Sequence, residues 1–156
     1  MSEKPQARLR PLRRDDFERI AFFESEIAKV SFPDDPITDL GFYAKKLEKL
    51  IDDDNAATFV AELDDGTVVG WSNVSIRRNF ITKQAYGDYH SIYIDPSQRG
   101  SGLANRLADA VFDWCREKKL DHVVFRTRAT NEPMKAVLAR VGFVPTQIYL
   151  EKNLKD

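Results

Sequence analysis

A chain of 156 residues with 42% hydrophobic content has the size of one compact domain, because folding at this length buries about two-thirds of the unfolded surface; a single domain over residues 1–156 is expected. Lys and Arg total 24 against 25 Asp and Glu, for a net charge of −1, so no general attraction to nucleic acid or to an anionic membrane exists and neither is expected as a partner. Cys115 is the only cysteine beside two histidines, His90 and His122, which excludes an internal disulfide and a cysteine-rich zinc site; no metal is expected, and with no signal-like or long apolar run a cytoplasmic location is.

Residues 8–12 read as a short first strand. Asp15 and Asp16 can accept from the free amides of a first helical turn, and the spacing of Phe17, Ile20, Ala21, Phe23, Glu24 and Ile27 predicts a helix over 17–29. Two prolines mark 31–36 as a loop. A second helix is predicted over 38–52 from the stripe Phe42, Leu47, Leu50 and Ile51. The period then changes to that of strands: residues 58–63, a turn at Asp64-Asp65-Gly66, and residues 67–76 predict a hairpin. Residues 86–94 predict a further strand that alternates Tyr89, Ser91 and Tyr93 with His90, Ile92 and Ile94, so that both faces are covered.

Beyond Asp95-Pro96 the order is loop, helix, strand, helix, strand. A helix over 103–118 buries Leu103, Leu107, Ala110, Val111, Trp114 and Cys115. A β-branched strand covers 121–127. Helix 131–140 has Pro133 in its first turn and Gly142 as its stop, and residues 143–150 are predicted as the last strand. With no repeat or linker, the pattern is that of an α+β domain built on a mixed sheet.

One juncture carries chemistry. A strand ending at Ile94, the loop Arg99-Gly100-Ser101-Gly102 and a helix opening at Leu103-Ala104 place two glycines and a set of unsatisfied amides where an oxyanion can be received. The helix dipole adds positive potential there, and Arg99 adds a cationic group. A pyrophosphate fits such a receptor. The P-loop and dinucleotide fingerprints are both absent, the latter because Asn105 stands where its third glycine belongs.

These residues resemble the GNAT superfamily of acetyl-coenzyme A-dependent N-acetyltransferases, whose pattern Arg/Gln-x-x-Gly-x-Gly/Ala is met by Arg99, Gly102 and Ala104. Residues 91–98 look like that family's fourth strand and turn, and Asn131 through Val141-Gly142-Phe143 resembles the second half of its pattern. The resemblance covers residues 58–150 well and the first two helices only in kind and approximate position. It implies a mostly antiparallel central sheet with splayed fourth and fifth strands, flanked by helices. It further implies that the backbone of Ile92, Tyr93 and Ile94 pairs with the pantetheine arm, that Gly100, Ser101, Gly102, Leu103 and Ala104 hold the pyrophosphate with Arg99, and that Asn131 contacts the pantetheine side. Asn131 is also expected as a helix N-cap.

Acyl transfer to an amine needs a proton acceptor for the amine, a donor for the developing oxyanion and an acid for the departing thiolate. Family members often place a Tyr five residues before the Phe of the Gly-Phe pair; here that position is Leu138, which cannot donate and belongs to an apolar stripe. Another phenol or a water can substitute, and Tyr93 and Tyr149 are the candidate phenols. Asp88 and His90 are the candidate bases, Asp88 because some relatives carry a Glu there and His90 because its ordinary pKa is near neutrality. The amine pocket is expected between the first two helices and the 32–37 loop, with Asp34, Asp35 and the run at Asp52 as cation attractors and Phe32, Tyr43 and Trp71 as apolar walls.

The expected function is transfer of acetyl from acetyl-coenzyme A to a primary amine of a small molecule or peptide by direct attack, the protein being a monomer or homodimer. The alternative is a coenzyme-A-binding sensor or interaction module without chemistry, which Leu138 favours.

Overall fold

A computed structural model describes residues 6–34 and 36–155; Asp35, one of the expected cation attractors, lies outside them. Five strands lie side by side in chain order: β1 (Arg8–Arg10), β2 (Ala56–Glu62), β3 (Val68–Arg78), β4 (Ala85–Ile94) and β5 (Val123–Phe125). β1 to β4 pair antiparallel, and β5 pairs parallel with β4. Four helices, α1 (Phe17–Ser31), α2 (Leu40–Ile51), α3 (Leu103–Glu117) and α4 (Glu132–Arg140), fall where the apolar stripes predict them. Asp39 caps α2 by accepting from the Gly41 amide at 2.9 Å, and Asn131 caps α4 by accepting from the Met134 amide at 3.2 Å. The β2–β3 hairpin closes with the Leu63 amide on the Thr67 carbonyl at 2.8 Å around Gly66, whose φ of 89° suits a residue without Cβ.

The sheet is covered on both faces. On one, Ile20 and Phe23 of α1 and Leu47 of α2 pack on Val60, Val68 and Trp71. On the other, Leu103, Leu107, Ala108, Val111 and Cys115 of α3 pack on Ala61, Val69, Val74, Tyr89 and Ile92. Each Val, Leu, Ile or Phe side chain so buried contributes roughly 1.5–3 kcal/mol. β1 is tied to the turn that opens α1 and to β2 by Arg10, which donates to both Asp16 oxygens at 2.8 and 2.9 Å and also reaches Glu62. No helix among the described residues is long and apolar enough to cross a membrane.

Two expectations need correction. The simple alternation along β4 breaks at His90: Asn73 of β3 pairs with Ser91 while the next residue, Val74, pairs with Tyr89. This bulge inserts one residue and changes parity, so Tyr89 shares the α3 face with Ile92 and Ile94 and not the face of Ser91 and Tyr93. The strand expected over 143–150 does not form either. Residues 143–155 contain no ladder, turn or bend, because alternation describes one amphipathic face and a strand exists only through a neighbouring edge.

Candidate active site

The loop expected to receive a phosphate is held by contacts from β3 and α1 as well as from its own turn. Asp95 closes β4 by donating its amide to the Val69 carbonyl at 2.8 Å, and its carboxylate accepts from the Ser97 amide at 3.0 Å, opening a short 3-10 turn over Pro96–Gln98. Arg19 of α1 donates to Asp95 at 2.9 Å and to the Val68 carbonyl at 3.1 Å, and lies over the Phe23 ring at 4.6 Å, holding this turn against the first helix. The backbone then takes left-handed conformations at Gly100 and Gly102, with φ of 82° and 85°. Nothing lies within 4 Å of where a Cβ on either would sit; these glycines are required by backbone conformation, and the space beside them is open to a ligand. The first bond of α3 runs from the Arg106 amide to the Gly102 carbonyl at 3.2 Å, so the amides of Gly102, Leu103, Ala104 and Asn105 have no intrahelical acceptor. Arg99 sits at the rim, its Nε donating to the Ile94 carbonyl at 3.3 Å.

From this loop a slot runs along β4. β4 and β5 pair only over Gly87–Val123, Asp88–Val124 and Tyr89–Phe125, while β4 continues to Ile94. Over 90–94 the β4 edge that faces away from β3 has no neighbouring strand among the described residues, the splay that the family resemblance implies. Ile92, Tyr93 and Ile94 line it. Tyr93 is held by stacking on Phe23 with ring centroids 4.5 Å apart.

On the α1 face beside the slot stands a carboxylate absent from the sequence-derived candidates. Glu24 Oε1 accepts from the Trp71 indole N–H at 2.7 Å and Oε2 accepts from the Ser91 hydroxyl at 3.2 Å. Burial pushes its carboxyl above the usual range, and the Trp71 and Ser91 donors and the charge of Lys46 offset this only in part. The signal was present in the sequence as a Glu on the apolar stripe of α1, where a charge must find partners. On the neighbouring strand Asn73 Oδ1 is buried without a hydrogen-bond partner among the described residues. An acceptor so placed has capacity for a donor from a ligand.

Asp88 and His90 are brought together, with Asp88 Oδ2 3.7 Å from His90 Nδ1. Asp88 is buried, and its two oxygens face Arg126 at 3.2 Å and Arg77 at 3.3 Å. His90 Nε2 is 2.6 Å from the Ser75 hydroxyl. Burial lowers the His90 pKa, and Arg77, Arg126 and Lys46 act in the same direction against the attraction of Asp88. The imidazole is therefore held neutral and able to take a proton.

The model of the Acetyltransferase (GNAT) family matches residues 10–143. The chain belongs to this family. It is thereby an N-acetyltransferase that draws its acetyl group from acetyl-coenzyme A. Curated proteins similar to it include an aminoglycoside N(6')-acetyltransferase type 1 of Stenotrophomonas maltophilia, 26% identical over 117 residues that make up 73% of this chain and 72% of that protein. A protein of the same description from Salmonella typhimurium is 27% identical over 103 residues, or 64% and 70% of the two chains. Among solved structures, aminoglycoside N-acetyltransferase AAC(6')-Iy in complex with CoA superposes with a TM-score of 0.78 at 21% identity, over 100% of this chain and 99% of its own. AAC(6')-Ih from Acinetobacter baumannii superposes with a TM-score of 0.74 at 18% identity, over 96% and 99%. At these identities the structural likeness establishes a shared fold.

Within the GNAT fold the remaining sequence-derived residues separate. Asn131 stands at the start of α4 as its cap. Leu138 is buried, an apolar side chain where many family members place a phenol. Tyr149 is 87% exposed on the segment that forms no strand, and the structure does not bring it together with Asp88 and His90. Cys115 is buried against the sheet and its thiol is pushed up to about 11 by burial, as a packing residue's would be. Of the expected acceptor walls, Trp71 and Tyr43 are buried, and Phe32 is exposed.

Proposed function

We propose that this GNAT enzyme acetylates a primary amine of a small polycationic amino sugar, with aminoglycosides as the substrate class, by direct attack in a ternary complex. The observation that carries the reading is the Glu24 carboxylate, set on the acceptor side of the slot between Trp71 and Ser91. The names of the curated relatives, aminoglycoside N(6')-acetyltransferases, support the substrate class.

Bound acetyl-coenzyme A supplies an acyl group activated as a thioester. In this reading the amides of Gly102, Leu103, Ala104 and Asn105 hold its pyrophosphate, with Gly100 and Ser101 shaping the loop and Arg99 adding positive field. The open edge of Ile92, Tyr93 and Ile94 aligns the pantetheine arm as a strand would, and Asn131 borders it. Glu24 and the orphaned Asn73 oxygen receive the ammonium of the acceptor. The proton that must leave before attack passes to Glu24 or to the neutral His90. Asp88, with both oxygens facing guanidinium groups, acts by positioning His90. Holding the two reactants in this register supplies much of the acceleration.

The rival reading, a coenzyme-A-binding sensor without turnover, draws on Leu138. A thiolate is a good leaving group, so the missing phenol weakens acid catalysis without abolishing transfer. Thiol release measured with acetyl-coenzyme A and paired aminoglycosides bearing an amino or a hydroxyl group at the 6' position separates the readings. Turnover is expected only with the 6'-amine. Turnover with neither member of the pair, alongside coenzyme A binding, would favour the sensor.

A further inference from the structure

We propose that Ser75, His90 and Asp88 form a second reactive centre, a serine nucleophile with its base and an orienting carboxylate, which cleaves short-chain carboxylic esters through an acyl-serine intermediate. Neither coenzyme A nor an amine takes part, so this activity is separate from acetyl transfer and stands or falls apart from it.

The arrangement follows from strand register. Ser75 of β3 pairs with Asp88 of β4, so their side chains share a face, and alternation along β3 places Trp71, Asn73 and Arg77 on the same face as Ser75. His90 is the extra residue of the β4 bulge and has no partner opposite it in β3. A bulge re-aims a side chain, and here the imidazole reaches both members of the neighbouring pair. Its Nε2 is 2.6 Å from Ser75 Oγ, and its Nδ1 is 3.7 Å from Asp88 Oδ2.

These contacts set the direction of proton flow. A carboxylate only accepts, so the ring nitrogen that faces Asp88 carries the proton of the neutral imidazole. At 3.7 Å the carboxylate orients the ring through its field rather than by a hydrogen bond. The lone pair then lies at Nε2, and the Ser75 hydroxyl donates to it. A hydroxyl within hydrogen-bond reach of a base that a third group orients is the geometry of an activated nucleophile. Burial, with Arg77, Arg126 and Lys46, keeps the ring neutral against the attraction of Asp88. The site is also open, since the His90 side chain is 30% exposed and Ser75 is half-buried.

The surroundings suit an ester. As Ser75 Oγ bonds to the acyl carbon, its proton passes to His90 Nε2 and the carbonyl oxygen becomes an oxyanion. Arg77 and Arg126, held on Asp88 at 3.3 and 3.2 Å, bring positive charge to that place. The bond to the alcohol oxygen then breaks, and that oxygen takes the proton from His90. Water attacks the acyl-serine next, giving a proton to His90 that returns to Ser75 as the carboxylic acid leaves. The same positive charge favours esters whose alcohol departs with anionic character, such as aryl esters.

The probe is 4-nitrophenyl acetate, added to wild-type protein without coenzyme A. Nitrophenolate is expected in a burst stoichiometric with the chain, followed by slower turnover, and acid-quenched protein is expected to carry one acetyl group, on Ser75. Diisopropyl fluorophosphate is expected to modify the same residue and to stop hydrolysis. His90→Gln should slow acylation about 10²- to 10⁴-fold, and Ser75→Ala should lose both burst and label. A wild type without a burst, or one whose acetyl and phosphoryl groups map to a lysine or to His90 itself, would overturn the proposal whether or not either variant folds. A burst retained by folded Ser75→Ala would do the same.

Discussion

The Trp71 indole N–H and the Glu24 carboxylate meet at 2.7 Å across the interface of β3 and α1, so the carboxylate is oriented by a side chain that is itself fully buried. A residue held this way can be altered in charge without being moved. Glu24→Gln keeps an oxygen for Trp71 and loses the ability to take a proton. We expect kcat/KM to fall about 10²- to 10⁴-fold, the usual range for loss of a general base, with near-ultraviolet circular dichroism unchanged. In the wild type, activity should decline toward acid as pH passes through the raised Glu24 pKa, and the variant should lose that limb. Wild-type rates from Glu24→Gln would remove Glu24 from the chemistry.

Gly102 combines a φ of 85° with open space beside it. Gly102→Asp places a negative charge among the amides assigned to the pyrophosphate. Coenzyme A affinity measured by calorimetry should weaken about 100-fold or more, each tenfold corresponding to about 1.4 kcal/mol, while Gly100→Ala, with no added charge, should lose less. Equal affinity in the Asp variant and the wild type would place the ligand elsewhere.

At Gly87 the constraint is contact. A Cβ there would lie 2.7 Å from Cys115 Sγ, whose side chain is buried in the α3 face of the core. Gly87→Ala is expected to destabilise by about 1–3 kcal/mol, the usual cost of overpacking. Cys115→Ala vacates that volume, so the double variant should be more stable than the sum of the single effects. Additive urea midpoints would show that the helix yields instead.

Stability should also report on His90. Its pKa is lowered in the fold, chiefly by burial, so the unfolded chain binds more protons on the acid side of the ordinary His value of about 6.5. The contribution of neutral His90 is complete above that value and is lost as pH falls toward the folded pKa. The urea midpoint should therefore drop more between pH 8 and pH 5.5 in the wild type than in His90→Gln. Parallel declines in the two proteins would show that other groups carry the pH dependence.

What sequence alone determined is local. Helices α1 to α4 were legible from apolar stripes, the β2–β3 turn from Asp65-Gly66, and the left-handed glycine loop before α3 from two glycines between a strand and a helix. Each depends on residues within a few positions of one another, where backbone geometry and side-chain period act directly. The positions of Asp88 and His90 on one strand were legible too, but not the two arginines that flank Asp88, one of them 38 residues further along the chain.

Tertiary structure decided what depends on neighbours brought from afar. Glu24 was visible as a carboxylate on an apolar stripe, yet its partners Trp71 and Ser91 lie 47 and 67 residues away, and only the fold shows that they converge. The bulge at His90 reversed the faces of β4 after that point, since a strand's register is set by its partner and not by its own alternation. For the same reason residues 143–150 carried the period of a strand without becoming one: amphipathic order is written in the chain, but the edge that would receive it is not.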